Sequence, residues 1–299
     1  MSLKFEKNEV YSMPVFFGPS SLQVIPGKHQ PDPTNHDHFY PGDNHSISIT
    51  FETERGQLEK MIPDCYTLID PYISVSVVEF TNLGWLAGHT YNLINVTCPV
   101  RFDGIQDHLD GDLVMVMFEN HPDPIIGGRE TMGYSKVYCE IPRICHIVKD
   151  NEDMYVATAS EWDFRFMKMQ IDLKKPSSDE ARIKANAARS SGKVHYKYIP
   201  DVNEKEDVGK VPNFTRPAIA YPTILPKWVK PADYPYPLRV PEVQFYSGSI
   251  EFYEPTWEDM PTYYNVAKGL ADLKVTRILG AQRTRYDEPC EYSACYKLR

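Results

Sequence analysis

Polar and apolar side chains alternate over residues 45–51 (HSISITF), the pattern of a strand with one face buried, because successive strand side chains point to opposite faces. Residues 55–62 (RGQLEKMI) change to helical spacing and run into Pro63, which cannot extend a helix. Runs rich in β-branched and aromatic residues at 72–80 (YISVSVVEF), 91–102, 112–118 (DLVMVMF), 136–141 and 154–160 (MYVATAS) predict further strands with turn residues between them. Residues 249–253 (SIEFY) predict another, and 271–281 (ADLKVTRILGA) a closing one. Strands this frequent, with few helices long enough for βαβ crossovers, predict a mainly β chain, a β-rich α+β protein whose sheet closes as an antiparallel barrel.

The remaining segments read as irregular. Residues 1–44 are rich in Pro, Gly, Asn, Asp and His and predict an arm over the surface. Residues 174–189 (KKPSSDEARIKANAAR) read as an exposed helix or flexible loop. Residues 200–241 carry many prolines among Tyr and Trp and are expected to wrap the sheet in extended conformation. Those aromatics need a surface to lie on, so residues 1–299 are treated as a single domain.

A net charge of −9 gives no basic stripe for phosphates, which argues against a nucleic-acid partner. No run approaches the ~20 apolar residues of a membrane span, and the first residues lack a signal peptide's apolar stretch, so a cytoplasmic protein with no membrane partner is expected. Six cysteines without C-x-x-C spacing read as free thiols. His36, Asp37 and His38 with His45 nearby form a rival metal signal, but they sit in the irregular arm without a placed third ligand; solvated histidines and no metal are expected. There is no G-x-S-x-G elbow, P-loop or Rossmann fingerprint.

Residues 123–139 (DPIIGGRETMGYSKVYC) join glycines, an Arg-Glu pair and a lysine in what reads as one strand-turn-strand passage. The bland reading is a glycine-rich hairpin with a solvated lysine. However, GRETMGYSK resembles the segment of acetoacetate decarboxylases in which Gly-Arg-Glu precedes the imine-forming lysine. FETERGQLEKMIP (51–63), VATAS (156–160), HYKYIPD (195–201) and the passage of Asp259, Met260 and Pro261 resemble other parts of that superfamily, so the resemblance covers most of the chain. It implies an acetoacetate decarboxylase-like closed barrel or cone, a Schiff base at Lys136, no cofactor beyond that covalent imine, and a homo-oligomer.

A lysine with the ordinary pKa of about 10.4 is protonated at neutral pH and cannot attack a carbonyl. Acetoacetate decarboxylase is the standard example of a lysine activated by desolvation or a neighbouring cation, so this mechanism comes with the resemblance. Here Val137 stands where the decarboxylases have a second lysine, and it can supply apolar surroundings instead. Alignment through the matching segments also puts Glu52 at the family's early arginine, and Ser76 and Leu93 at its two glutamates.

An imine can accept the electron pair released with carbon dioxide, or lose a proton to give an enamine that attacks an aldehyde. The altered polar residues resemble the aldolase-dehydratase branch, so the preferred reading is a lyase condensing pyruvate with an aldehyde. Decarboxylation of acetoacetate or another β-keto acid, and a non-catalytic ligand-binding barrel, are the alternatives. Besides Lys136, the catalytic candidates are Tyr253 and Tyr134 for proton transfer and Glu130 from the matching motif. Arg129, for a carboxylate or for pairing with Glu130, and Met132 and Val137 are the substrate-side candidates.

Overall fold

The structure is a computed structural model that describes residues 5, 7, 11–18, 42–83, 86, 88–175, 190–203, 216–227, 241–287 and 295–299. Its strands are β1 (Asp43–Glu52), β2 (Tyr66–Leu68), β3 (Tyr72–Leu83), β4 (His89–Asp103), β5 (His108–Glu119), β6 (Lys136–Tyr138), β7 (Cys145–Lys149), β8 (Glu152–Glu161), β9 (Phe164–Asp172), β10 (Gly192–Pro200), β11 (Pro217–Pro226), β12 (Glu242–Phe252), β13 (Arg277–Asp287) and β14 (Tyr296–Lys297). Helices α1 (Arg55–Glu59), α2 (Pro122–Gly127) and α3 (Tyr264–Asp272) are short. The chain is thus mainly β, and none of these helices is long and apolar enough to cross a membrane.

All fourteen strands join one sheet in the order β14-β11-β10-β5-β4-β3-β1-β13-β12-β9-β8-β7, with β2 on β4 and β6 on β5. Two features bear on the expected closed antiparallel barrel. The end strands β14 and β7 do not pair with each other among the described residues, and the β5 pairings with β10 and β6 are parallel. The sheet is therefore mixed and strongly curled, and it does not close among the described residues.

Alternation along the strands explains the curl. Ile47, Ile49, Phe51, Val75, Val77, Ile94 and Val96 are wholly buried on one face. The sheet folds over this face until Phe118 of β5 meets Phe166 of β9, with ring centroids 4.9 Å apart. Each fully buried side chain of this kind contributes roughly 1.5–3 kcal/mol. The other face holds a second cluster of Val78, Leu83, Tyr91, Leu93, Val114, Met117 and Tyr134, against which Leu225 of β11 and Tyr286 of β13 also pack. Strands separated in the sheet order meet there.

Two segments differ from expectation. Residues 123–139 are not a hairpin: β6 runs parallel to β5, which demands a crossover, and α2 with a π-helical turn at Gly128–Met132 provides it. Nor do residues 271–281 form one strand. α3 runs to Asp272 because Ala267 and Leu270 recur at helical spacing on its buried side, and β13 starts only at Arg277. Within 200–241, residues 217–226 form β11. Residues 176–189, 204–215 and 228–240, most of the N-terminal arm with His36, Asp37 and His38, and Cys290 lie outside the described residues. Cys65, Cys98, Cys139, Cys145 and Cys295 are free.

Candidate active site

The crossover from β5 to β6 builds the surroundings of Lys136. Pro122 occupies the first turn of α2, where a missing N–H costs nothing, and the backbone N–H of Asp123 donates to His121 Nδ1. The π-helical turn follows, and Gly133 leaves it at φ +84°, a left-handed conformation suited to glycine. Gly128 is required for a different reason. A Cβ on it would lie 2.6 Å from Lys136 Cδ and Cε and 2.9 Å from Nζ, so the lysine occupies the space a side chain would need.

Lys136 is only 3% exposed. Its Nζ donates to the Pro124 carbonyl at 3.0 Å and stands 2.8 Å from Oε1 of the wholly buried Glu119. Apart from that contact, neither Glu119 oxygen has a hydrogen-bond partner. Burial pushes the Lys136 amine down from the usual lysine range, opposed by Glu119; burial likewise pushes the Glu119 carboxyl up, opposed by Lys136. Both directions favour a neutral amine beside a protonated acid, the state that avoids two buried charges.

Tyr134 lies beneath the amine, its ring centroid 5.0 Å from Nζ. His195 stacks on Tyr134 with centroids 4.0 Å apart and planes at 25°. That imidazole is wholly buried with neither ring nitrogen hydrogen-bonded, and burial together with Lys136 lowers its pKa to about 3. It therefore stays neutral. The buried Lys197 donates to the carbonyls of Glu130 at 2.6 Å and Thr131 at 3.3 Å, tying down the π-helical turn. Cys295 Sγ lies 3.8 Å from Tyr134 Oη, and burial pushes its thiol up to about 11.

Of the residues singled out from the sequence, Tyr134 and Met132 share the cluster around Lys136. Arg129 is exposed and braces the lysine's backbone, with Nη1 donating to the Lys136 carbonyl at 2.7 Å. The Glu130 carboxylate accepts from Ser12 Oγ instead of meeting Lys136. Val137 points into the main core on the opposite face, so the apolar setting of Lys136 comes from Tyr134 and Met117. Tyr253 donates its hydroxyl to Glu251 at 2.7 Å and its N–H to the Phe166 carbonyl, partners on β12 and β9. A cavity of about 540 Å³ is lined by Arg129, Glu130, Val137, Tyr196, Tyr198 and neighbouring residues, but Lys136 is not part of its lining. Its lining also includes Tyr134 and Ser135, which with Val137 are the chain neighbours of Lys136.

Glu119 and His195 were not anticipated. A glutamate ending the apolar run DLVMVMFE reads as the solvated end of a strand, yet it lies two residues beyond Met117 and so shares that side chain's face. Among the altered family positions, Glu52 pairs with Arg277 at 3.0 Å, and Ser76 accepts a hydrogen bond from Ser48 at 2.8 Å. Leu93 lies directly opposite Glu119 across the β4–β5 ladder. A carboxyl group thus sits one strand over from the position aligned with a family glutamate.

The desolvated lysine thus stands on the second cluster of a curled, mixed sheet. The acetoacetate decarboxylase family model matches residues 12–292, and the chain belongs to that family. An acetoacetate decarboxylase of Acidiphilium cryptum (strain JF-5) is 32% identical over 88 residues, which span 29% of this chain and 34% of that protein. The match thus covers about a third of that relative's length. The crystal structure of acetoacetate decarboxylase from Legionella pneumophila superposes with a TM-score of 0.60 at 16% identity, covering 87% of this chain and 89% of that one. The enduracididine biosynthesis enzyme MppR, complexed with the condensation product of pyruvate and imidazole 4-carboxaldehyde, gives a TM-score of 0.55 at 10% identity, covering 89% and 93%. At these identities the structural likeness concerns the fold.

Proposed function

We propose that the protein is a Schiff-base lyase that condenses pyruvate with an aldehyde and eliminates water, with Lys136 as the nucleophile. The observation that carries this reading is the buried Lys136 amine held 2.8 Å from Glu119 with its pKa lowered by burial. A neutral amine has the lone pair that attack on a carbonyl requires. Addition to pyruvate C2 gives a carbinolamine; the protonated Glu119 carboxyl donates to the departing hydroxyl, water leaves, and the resulting carboxylate faces the cationic imine. Removal of a C3 proton by that carboxylate yields the enamine, whose C3 attacks the aldehyde carbon while the aldehyde oxygen takes up a proton. Loss of that oxygen as water and hydrolysis of the imine release an unsaturated keto acid and free Lys136.

MppR's bound condensation product of pyruvate and an aldehyde supports this outcome on a shared fold. Decarboxylation starts from the same imine and is supported by the family and the curated relative. A direct comparison separates them. The protein is incubated with pyruvate plus an aldehyde and, separately, with acetoacetate, following unsaturated keto acid by mass and absorbance and carbon dioxide by release. Condensation product without carbon dioxide supports the proposal; carbon dioxide from acetoacetate without condensation product replaces it with the decarboxylase reading.

A further inference from the structure

Strand β4 covers one edge of β5 along its length, so β10 and β6 both attach to the other edge. β10 pairs there with Asp112 and Leu113, and β6 with Met117, Phe118 and Glu119, which leaves residues 114–116 between two diverging strands. Met115, in the middle of that interval, is also the extra residue of a bulge against β4, where Thr97 pairs with Val114 and Val96 with Val116. The cavity of about 540 Å³ occupies this gap. Residues 113–116 of β5 line it, together with Tyr196 and Tyr198 of β10 and residues 133–135 of the turn before β6.

The proposed imine chemistry makes no use of this space. Its walls are mainly apolar, with Met61 beyond α1 and Val266 and Leu270 of α3 adding to the side chains of β5. Tyr196 and Tyr198 alternate along β10 with the buried His195 and Lys197, so the tyrosines and those two residues use opposite faces of the strand. A cleft of this size and lining suits a small organic molecule held by a few polar groups. Two charged side chains, Arg129 and Glu130, contribute to it. The Glu130 carboxylate is engaged by the Ser12 hydroxyl, whereas Arg129 has no ion pair among the described residues and bonds only the Lys136 carbonyl. A guanidinium carries several N–H donors in a planar fork, so Arg129 keeps donors for a carboxylate while it holds that carbonyl.

We propose that this gap binds a carboxylic acid with an aromatic or other apolar body, the body lying against Tyr196, Tyr198 and β5 and the carboxylate on Arg129. The site is separate from imine formation and does not depend on it. A neutral ligand would gain the apolar wall alone, and a cationic one would meet Arg129 at like charge.

The test titrates the full-length protein by calorimetry with 1-naphthylacetate and with 1-naphthylacetamide, which share one body and differ in charge. Neither carries a ketone or aldehyde, so neither can form an imine. Wild type is expected to bind the acid about tenfold more tightly than the amide, and Arg129→Gln to weaken the acid about tenfold while changing the amide less than about threefold. Glu130→Gln should leave the acid as tight or tighter. Tyr198→Ala removes a side chain that is 46% exposed, which spares the core; it should weaken both ligands about threefold or more, and it covers a failure of Arg129→Gln to fold. Lys136→Ala should keep the preference for the acid, because Lys136 does not line the cavity. No binding of the acid by wild type, no preference over the amide, a preference that survives Arg129→Gln or vanishes in Lys136→Ala, or weaker acid binding in Glu130→Gln overturns the site. None of these outcomes bears on imine formation, which borohydride trapping of pyruvate decides separately.

Discussion

Replacing Glu119 with Gln probes the pair that governs Lys136. The substitution keeps the shape and removes both the negative charge and the transferable proton. At 2.8 Å and an effective dielectric constant of about 20, the full Coulomb attraction would be about 6 kcal/mol, and Glu119's own tendency to stay protonated leaves only part of it acting on Lys136. The sign is nevertheless fixed. Glu119 raises the lysine pKa against the lowering effect of burial, so its removal lets the amine lose its proton at lower pH. The rate of cyanoborohydride-trapped pyruvate adduct rises with pH as Lys136 becomes neutral, and in Glu119→Gln that acidic limb is expected to move to lower pH. The plateau should fall about 10²-fold or more, because no acid remains beside the departing hydroxyl. Both are read from one series of intact-mass measurements at increasing pH. A limb that stays in place or moves to higher pH, or a plateau within about threefold of wild type, would refute the coupling and the proton-transfer role.

Gly128→Ala places a methyl group 2.6 Å from the Lys136 side chain, which must swing away from Glu119. Trapping should slow about tenfold or more while thermal unfolding shows a cost of only about 1 kcal/mol, since the far end of one side chain gives way; a fully reactive variant would contradict the placement. His195→Phe keeps an aromatic ring stacked on Tyr134 and deletes two buried nitrogens that have no hydrogen-bond partner. Its urea midpoint should equal or exceed that of wild type, because leaving such groups unsatisfied costs about 1–3 kcal/mol; a clear loss of stability would mean the imidazole is satisfied in solution.

Much of the sheet is legible from local pattern, because a strand with one buried face writes that burial at every second residue. Residues 45–51, 72–80 and 112–118 fall within β1, β3 and β5 on that basis. The turn from Pro122 to Met132 is less legible, since glycines in this spacing suit a hairpin and a helical crossover alike, and only the parallel register of β6 on β5 decides between them. Likewise the apolar content of 271–281 suits a strand, but the helix that occupies its beginning starts seven residues earlier, at Tyr264. Lys136 is legible through its motif. Glu119 is not: its burial arises from the curl that brings α2 and β6 over the end of β5, and neighbouring residues in the chain carry no sign of it.

The central claim is that the Lys136 amine forms an imine with a keto acid. Incubation with pyruvate and borohydride, followed by intact-mass and peptide mapping of wild type and Lys136→Ala, tests it most directly. The account predicts one reduced adduct per chain on the peptide carrying Lys136, and none in the variant. An unlabelled wild type under conditions that label an authentic Schiff-base enzyme, or a label on another lysine that persists in Lys136→Ala, would contradict it.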